Sequence, residues 1–239
     1  MQPARHRQAS DRDRDSVWRT LCERQRPAVL RGMCREFLEG ANVLALDPAR
    51  MPRHDELSRR LHDACGWRIA TVPGLIPVDE FFALLRERRF PSPEWIRHPL
   101  DLEYTPEPDA FHDLFGHVPQ LCSPAFTRVL EALADSARGA ARAELDAIER
   151  VYWFTIEFGL VHENGGVRAL GAGLASSIAE LDRALHASDV ERRNFIASEA
   201  RNTPFFTDRP QELYLVADSL GSLADVLVAP AGQSMRRTA

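Results

Sequence analysis

Apolar residues that recur at three- and four-residue steps constrain the fold of this chain more than any other feature of its sequence. A repeat of this kind is typical of helices that pack one face against a core. The first stretch predicts helix with a break at Pro27, since proline removes a backbone donor. A second stretch ends at Gly66, a residue type common after the last turn of a helix. The apolar positions of the two stretches are Val17, Trp18, Leu21, Val29, Leu30, Met33, Phe37, Leu38, Leu57, Leu61, Ala64 and Cys65.

The remaining pattern adds more helices and only a few strands. Short strands are predicted within 67–77 and at 213–216, where the helical period is lost. The segment 91–108 carries five prolines, which predicts an ordered loop. Ser222 is expected to cap a last short helix. The other predicted helices cover 79–90, 109–117, 123–138, 140–160 and 174–187.

The chain is therefore expected to form a single, mainly α domain with minor short β-strands, an α+β fold, over residues 16–229. Residues 1–15 are polar and charged without an apolar period, which predicts a disordered segment. Residues 230–239 predict a flexible tail, and because they carry no heptad repeat we expect a monomer. Neither an internal repeat nor a low-complexity linker indicates a second domain.

Composition and charge argue against several classes of partner. The net charge of −5 and the lack of a basic stretch argue against binding of nucleic acid. The longest apolar runs fall well short of the roughly 20 residues that cross a bilayer, so no membrane association is expected. No apolar secretory signal opens the chain, and its four cysteines are scattered. A cytoplasmic protein with free thiols is the expectation.

Two histidines and a glutamate form a candidate metal site. His112 and His117 lie in the run FHDLFGHVP, and Glu157 lies in the apolar run VYWFTIEFG. Two imidazoles and one carboxylate can hold a metal and leave positions open, as in mononuclear non-haem iron(II) enzymes that activate oxygen. A carboxylate among apolar neighbours needs a partner, and a divalent metal is one such partner. An ordinary surface pair of histidines is the alternative that the spacing alone leaves open.

The five-residue spacing of the two histidines constrains the local backbone. On an ideal α-helix five residues turn the face by about 140°, so the imidazoles converge only if the helix distorts or ends near His117. Gly116 and Pro119 are expected to supply that ending. Asp113 is expected to orient the cofactor or a ligand histidine rather than to bind the metal. Other histidines, such as His54, are expected at the surface.

Three long motifs resemble the pterin-dependent aromatic amino acid hydroxylases. They are YTPEPDAFHDLFGHVP at 104–119, YWFTIEFGL at 152–160 and GAGLASS at 171–177. Shorter likenesses are ERQRP at 23–27, PGLIP at 73–77 and WIRH at 95–98. The resemblance therefore spans about residues 17–220 and implies the catalytic domain of that family. Within the family the chain is most similar to the compact bacterial phenylalanine 4-hydroxylases.

The resemblance also implies the cofactors and the residues that bind them. It implies Fe(II) held by His112, His117 and Glu157, tetrahydrobiopterin or a related tetrahydropterin as electron donor, and O2 as co-substrate. The residues implied to contact the pterin are Gly74, Leu75, Ile76, Phe81, Asp113 and Tyr152. The residues implied to hold the amino acid are Arg97, Thr105, Gly173 and Ser176 at its carboxylate end, and Pro106, Trp153 and Phe158 around its ring.

The expected reaction is ring hydroxylation of a free aromatic amino acid, L-phenylalanine to L-tyrosine. Trp153 carries this expectation, because it resembles the tryptophan of phenylalanine and tyrosine hydroxylases. A phenylalanine 3-hydroxylase or a tryptophan hydroxylase of secondary metabolism stays open, since small changes in pocket volume move a ring carbon relative to the metal. A zinc hydrolase would need the glutamate that HExxH places beside its histidines. A non-catalytic helical scaffold with a structural metal would need a fourth ligand, often cysteine.

Overall fold

Helices dominate the computed structural model, which describes residues 10–102, 105 and 107–228. The α-helices are α1 Asp11–Gly32, α2 Arg35–Leu44, α3 His54–Cys65, α4 Val78–Arg86, α5 Pro124–Ser136, α6 Arg142–Tyr152, α7 Ala172–Ala175, α8 Ile178–His186, α9 Ala197–Asn202 and α10 Leu220–Val228. The strands are β1 Arg68–Val72, β2 Arg89–Pro93, β3 Leu160–Glu163, β4 Gly166–Ala169, β5 Glu191–Asn194 and β6 Leu213–Ala217. The predicted mainly α fold with short strands is confirmed. The tail expected at 230–239 lies outside the described residues.

The first helix begins earlier than the sequence pattern predicts. It starts at Asp11, inside the segment 1–15 that we expected to be disordered, while residues 1–9 lie outside the described part of the chain. The Ser10 hydroxyl accepts from the backbone N–H of Asp13 at 3.3 Å. The Asp13 carboxylate accepts in return from the Ser10 backbone at 3.3 Å. This capping box satisfies two backbone donors, so polar residues without an apolar period still begin a helix.

The expected break at Pro27 is also wrong, because α1 continues through it to Gly32. A proline inside a helix costs about 3 kcal/mol. Buried apolar side chains on both sides of the proline, including Trp18, Leu21 and Val29, hold the helix against the core. Burial of one such side chain contributes about 1.5–3 kcal/mol, so tertiary packing offsets the local cost.

The segment 91–108, which we expected to be entirely loop, begins within strand β2 of a small parallel sheet. β2 pairs with β1 in parallel, with Arg89 opposite Arg68 and Pro93 opposite Val72. The helix predicted over 79–90 consequently ends at Arg86. Proline is tolerated in this strand because a strand at a sheet edge pairs on one side only. The strand leads directly into the loop that carries Arg97.

A second, mixed sheet has the strand order β4-β3-β6-β5. β3 and β4 form an antiparallel hairpin, whereas β6 is parallel to both β3 and β5. The two-residue turn of the hairpin is Asn164-Gly165, with φ of 51° and 76°. Asn-Gly is the strongest short-range signal for such a turn. The helix predicted over 140–160 therefore gives way to strand at Leu160.

The core is built from buried side chains of both sheets and of most helices. Its largest fully buried side chains include Trp18, Trp67, Phe126 and Tyr214. The last helix, α10, is capped by Ser219 rather than Ser222, because the Ser219 hydroxyl accepts from the backbone N–H of Ser222 at 3.0 Å. Among the helices that the structure describes, none has both the length and the apolar character needed to span a membrane.

Candidate functional site

Both segments that carry the predicted metal ligands are π-helical. One spans His112–His117 and the other spans Trp153–Glu157. Hydrogen bonds in a π-helix join residues five apart, so His112 and His117 lie on one side of the same helix. The helix is thus distorted at the two histidines, as their spacing requires, but Gly116 and Pro119 do not end it, since a 3₁₀-helix continues over Val118–Cys122. The lack of a side chain at Gly116 instead allows close packing, because a Cβ there would lie 2.8 Å from the Ala172 carbonyl oxygen.

The three predicted ligands converge on one point. The Nε2 atoms of His112 and His117 lie 3.1 Å apart. One carboxylate oxygen of Glu157 lies 3.4 Å from Nε2 of His112, and the other lies 3.0 Å from Nε2 of His117. Two donors that bind one metal at about 2.1 Å and at right angles lie about 3 Å apart. The triangle of donor atoms therefore has the dimensions of a metal site.

The three predicted ligands shift one another's pKa values. Burial raises the pKa of Glu157, but the imidazoles of His117 and His112 outweigh it and hold that pKa well below its usual range. Burial lowers the pKa of His112, but the Glu157 carboxylate prevails and the net shift is upward. For His117 burial prevails, and its pKa is lowered. The ionised carboxylate and the neutral form favoured in His117 suit a divalent cation, and binding of the cation would displace any proton on Nε2 of His112.

Ser176 fixes the orientation of the His112 ring. Its hydroxyl donates to the Ala172 carbonyl at 2.9 Å, so its oxygen is free to accept from Nδ1 of His112, 2.9 Å away. Nδ1 then carries the ring proton, and the lone pair of Nε2 points toward Glu157 and His117. The resemblance implies a role for Ser176 at the substrate carboxylate, whereas its contact in the structure is with a predicted metal ligand.

Asp113 lies at the edge of the triangle in a buried polar chain. Its carboxylate lies within 4.8 Å of the imidazole nitrogens of His112 and His117. Burial raises the pKa of Asp113 to about 7, although a hydrogen bond from Ser92 opposes the shift. The Ser92 hydroxyl in turn lies 3.2 Å from Nε2 of His54. His54 is 5% exposed, so its expected surface position is wrong; the apolar face of α3 turns it inward.

Two of the residues implied to contact the pterin, Phe81 and Tyr152, lie beside the triangle. Phe81 on α4 meets the ring of Tyr152 edge to face, with centroids 5.3 Å apart. The Tyr152 ring lies 6.3 Å from that of His117, so an aromatic path leads from Phe81 to the candidate metal site. The segment 74–76 precedes α4, and its Leu75 side chain is 69% exposed. Through Phe81 and Tyr152, an aromatic surface thus borders the predicted ligands.

The Arg97 guanidinium, implied to clamp the substrate carboxylate, is buried against Asp109. Nε donates to Oδ2 at 2.8 Å and Nη2 donates to Oδ1 at 2.9 Å. Nη1 donates to the Leu102 carbonyl at 3.2 Å. A guanidinium has five N–H donors, so one donor on each terminal nitrogen is not engaged in these bonds. Burial raises the pKa of Asp109, but Arg97 prevails and holds it below its usual value.

Asp109 also caps the helix that carries the ligand histidines. Oδ1 accepts from the backbone N–H of His112 at 3.0 Å, and the Asp109 carbonyl accepts from that of Asp113 at 3.1 Å. Asp109 is not among the residues to which the motifs assign a role. The signal was present, because aspartate directly before a helix is a preferred N-cap.

The side chains of Trp153 and Phe158, which are implied to surround the substrate ring, form an aromatic surface that we call the aromatic wall. The rings of Trp153 and Phe158 lie 4.7 Å apart with a tilt of 38°. Phe205, which the sequence did not indicate, stacks on the same indole at 4.3 Å and 17°. A Cβ at Gly173 would lie 2.8 Å from Cζ of Phe158, so this glycine backs the wall. Gln211, also missed, accepts from the Trp153 indole N–H at 3.0 Å.

Two further implied residues lie in the loop before the ligand helix. The Thr105 hydroxyl donates to the Glu107 carbonyl at 2.7 Å, which makes it part of a local turn. Pro106 lies outside the described residues.

Comparison with known proteins gives concordant matches. Residues 10–237 match the family model of the biopterin-dependent aromatic amino acid hydroxylases. The phenylalanine-4-hydroxylase of Ralstonia nicotianae is 40% identical over 225 residues, covering 94% of this chain and 71% of that protein. The phenylalanine-4-hydroxylase of Chromobacterium violaceum is 42% identical over 211 residues, covering 88% and 71%. A crystal structure of the Chromobacterium violaceum phenylalanine hydroxylase with bound Fe(III) superposes with a TM-score of 0.89 at 41% identity, covering 93% of this chain and 81% of that one. Another holds Fe(III) and oxidised 7,8-dihydrobiopterin and has a TM-score of 0.88 at 42% identity, covering 93% and 81%.

Proposed function

Because the chain belongs to the biopterin-dependent aromatic amino acid hydroxylases, we propose that it hydroxylates the ring of free L-phenylalanine to give L-tyrosine. The observation that carries this proposal is the convergence of His112, His117 and Glu157 beside the aromatic wall of Trp153 and Phe158. A candidate metal site next to a surface that can bind an aromatic ring suits an enzyme that delivers oxygen to an aromatic carbon.

The donor set of the triangle fits iron(II). Two imidazoles and one carboxylate with donor atoms 3.0–3.4 Å apart can occupy one face of a metal and leave the opposite positions for oxygen. Ser176 holds His112 in the tautomer that presents Nε2. The Chromobacterium violaceum enzyme, 41% identical in sequence, binds Fe(III) in its crystal structure. Both considerations support His112, His117 and Glu157 as the ligands.

The aromatic path from Phe81 to His117 provides the surface on which a pterin would stack. Bound side by side, the iron and the tetrahydropterin would supply the electrons that activate O2. Phe81 and Tyr152 offer aromatic rings, and Asp113 offers a carboxyl group next to His112 and His117. The part of these residues is to fix the pterin close to the metal triangle.

Arg97 would hold the amino acid carboxylate with the donors that Asp109 and Leu102 leave free. Asp109 engages one edge of the guanidinium, which fixes the plane of the fork. One N–H on each terminal nitrogen can then point to the substrate. The distance between this clamp and the aromatic wall sets how far the substrate ring reaches, and such positioning decides which carbon reacts.

The test is product analysis with purified protein, Fe(II), tetrahydrobiopterin and O2. Phenylalanine, tyrosine and tryptophan are offered separately, and the hydroxylated products are resolved by chromatography against authentic standards. We expect 4-hydroxylation of phenylalanine at the highest kcat/KM. A meta-hydroxylated product, or a preference for tryptophan, would refute the proposed specificity but leave the reaction class intact.

The ligand assignment needs a readout of metal content. Glu157→Gln and His117→Ala should lose bound iron, measured by elemental analysis, and lose turnover while the far-UV circular dichroism stays unchanged. His162→Ala, at an exposed histidine on β3, is the matched control and should retain both. Stoichiometric iron in Glu157→Gln would contradict the assignment.

We further propose that the enzyme is a monomer in the cytoplasm and acts on a small molecule without nucleic acid. The net charge of −5 and the four unpaired cysteines support this. Light scattering coupled to size-exclusion chromatography tests the oligomeric state, and a mass near 27 kDa is expected from the chain mass of 26.9 kDa.

A further inference from the structure

The side chain of Gln211 bridges the Trp153 indole and the segment 204–210 that lies beside it. Oε1 accepts from Nε1 of Trp153 at 3.0 Å. Nε2 donates to the carbonyl of Phe206 at 2.9 Å and to that of Arg209 at 3.3 Å. Because both halves of the amide are engaged, the side chain has one orientation that satisfies all three partners. Gln211 is only 7% exposed, so water cannot readily replace these bonds.

The backbone of Gln211 is fixed to the rest of the fold. Its carbonyl accepts from Nε of Arg183 on α8 at 3.1 Å. The next carbonyl, that of Glu212, accepts from the backbone N–H of Glu191 at 2.8 Å, where β5 and β6 meet. The amide is therefore presented from a rigid support, which is what a residue that sets the geometry of a site requires.

Trp153 is held on three sides by different elements. The π-helix that begins with Trp153 ends with Glu157, so the backbone of the indole is tied to a predicted metal ligand. Phe158 and Phe205 pack against the ring at centroid distances of 4.7 and 4.3 Å. Ring packing of this kind allows the indole to slide or rotate in its plane, because it is not directional. The Gln211 hydrogen bond is directional, and so it selects one position of the indole.

We propose that Gln211 is a positioning residue. It fixes the position of the Trp153 indole and thereby determines which aromatic ring of a substrate the pocket prefers. This inference rests on the proposed function, in which Trp153 walls the ring of the amino acid. The same amide ties the segment 204–210, with Phe205, to the indole. Gln211 thus adjusts two surfaces of the ring pocket together, although it stands 58 residues after Trp153 in the chain.

Substitutions can remove the bond to the Trp153 indole and the bonds to the segment 204–210 separately. Gln211→Glu keeps an oxygen for the indole N–H but removes the donor to the carbonyls of Phe206 and Arg209. Gln211→Met keeps the length of the side chain and removes both. Trp153→Phe keeps a ring and removes the indole N–H. Glu212→Gln, an exposed neighbour, is the matched control.

The first readout is the ratio of kcat/KM for phenylalanine to that for tryptophan. In Gln211→Met this ratio should fall by about tenfold, the factor to which loss of a good hydrogen bond corresponds. In Gln211→Glu the fall should be smaller, because the indole retains its acceptor. Gln211→Met in the Trp153→Phe background should cause a smaller fall than in the wild-type protein, because only the bonds to the segment 204–210 are then left to lose. Equal falls in Gln211→Met and Glu212→Gln, or fully additive effects in the double variant, would overturn the proposal.

The second readout does not depend on turnover. The fluorescence of Trp153 is obtained as the difference between each protein and its Trp153→Phe counterpart, and its quenching by acrylamide is measured with and without phenylalanine. Quenching should increase in Gln211→Met and stay near the wild-type value in Gln211→Glu. Unchanged quenching in Gln211→Met would refute the positioning role. If the wild-type protein hydroxylates no amino acid but the quenching results hold, the proposed function fails while the Gln211–Trp153 coupling stands. Should Gln211→Met fail to fold, Gln211→Glu with Trp153→Phe still tests the proposal: quenching well above the wild-type value in Gln211→Glu overturns it.

Discussion

Replacement of Asp109 by alanine should destabilise the protein by about 3–5 kcal/mol, because it leaves a buried guanidinium without its counter-charge. The Asp109 side chain is fully buried, and it accepts from Nε, Nη2 and the backbone N–H of Arg97 at 2.8, 2.9 and 2.9 Å. Its fourth bond caps the ligand helix at the backbone N–H of His112. Loss of an N-cap costs about 1 kcal/mol in addition.

Two further variants separate the charge from the cap. Asp109→Asn keeps an acceptor for the His112 N–H and should lose less stability than Asp109→Ala. The double variant Arg97→Met with Asp109→Leu should recover part of the loss, since an apolar pair of similar volume is often as stable as a buried ion pair. Urea unfolding of the metal-free protein, followed by far-UV circular dichroism, gives the three free energies of unfolding. A loss below about 1 kcal/mol in Asp109→Ala would refute the reasoning.

The Arg97–Asp109 pair also makes the free energy of unfolding depend on pH. Because Arg97 holds the pKa of Asp109 below its ordinary value of 3.8, the carboxylate stabilises the fold at every pH above that value. This stability is lost as the pH falls through the lower pKa of the folded state. Asp109→Asn should therefore reduce the difference between the free energies of unfolding at neutral and acidic pH, and an unchanged difference would count against the pair.

Two other predictions use different parts of the fold. Gly40→Ala should destabilise the protein by about 1–3 kcal/mol or more, because a Cβ on Gly40 would overlap the Pro119 carbonyl where α2 crosses the segment after the ligand helix; urea unfolding measures it, and wild-type stability would contradict it. Cys65 should be alkylated by iodoacetamide well before Cys34, because a hydrogen bond with the Cys122 thiol lowers the pKa of Cys65 to about 7 while burial raises that of Cys34 to about 12. Peptide mass mapping gives the order, and equal rates near neutral pH would refute it.

Each of these predictions has a matched control in the chain. Gly221→Ala places a Cβ 3.8 Å from the nearest atom of the described residues, the Ser219 hydroxyl oxygen, and should leave stability nearly unchanged. Cys122→Ser weakens the thiol hydrogen bond and should slow alkylation of Cys65 near neutral pH.

The sequence predicts the helical class of the fold because amphipathic periodicity records burial, which most of the helices obey. It fails where a local signal competes with that period. The hairpin turn at Asn164-Gly165 carries a clear signal, yet the apolar run before it reads as continuous helix. Pro27 reads as a break, yet packing of α1 against the core overrides the local cost. Contacts such as Gln211 with Trp153 have no sequence signal at all, since nothing local links residues 58 positions apart.

The candidate metal ligands show why a periodic pattern cannot by itself give the direction of a functional side chain. His112, His117 and Glu157 all stand in segments that leave the α-helical period. A π-helical turn adds a residue to the turn, so every side chain beyond it points differently from the extrapolated α-helix. The hydroxyl of Thr155 donates to the Val151 carbonyl at 2.6 Å, which gives this widened stretch a side-chain bond to the backbone. A motif can identify such ligands, but only the local backbone brings an i, i+5 pair of imidazoles to face one carboxylate.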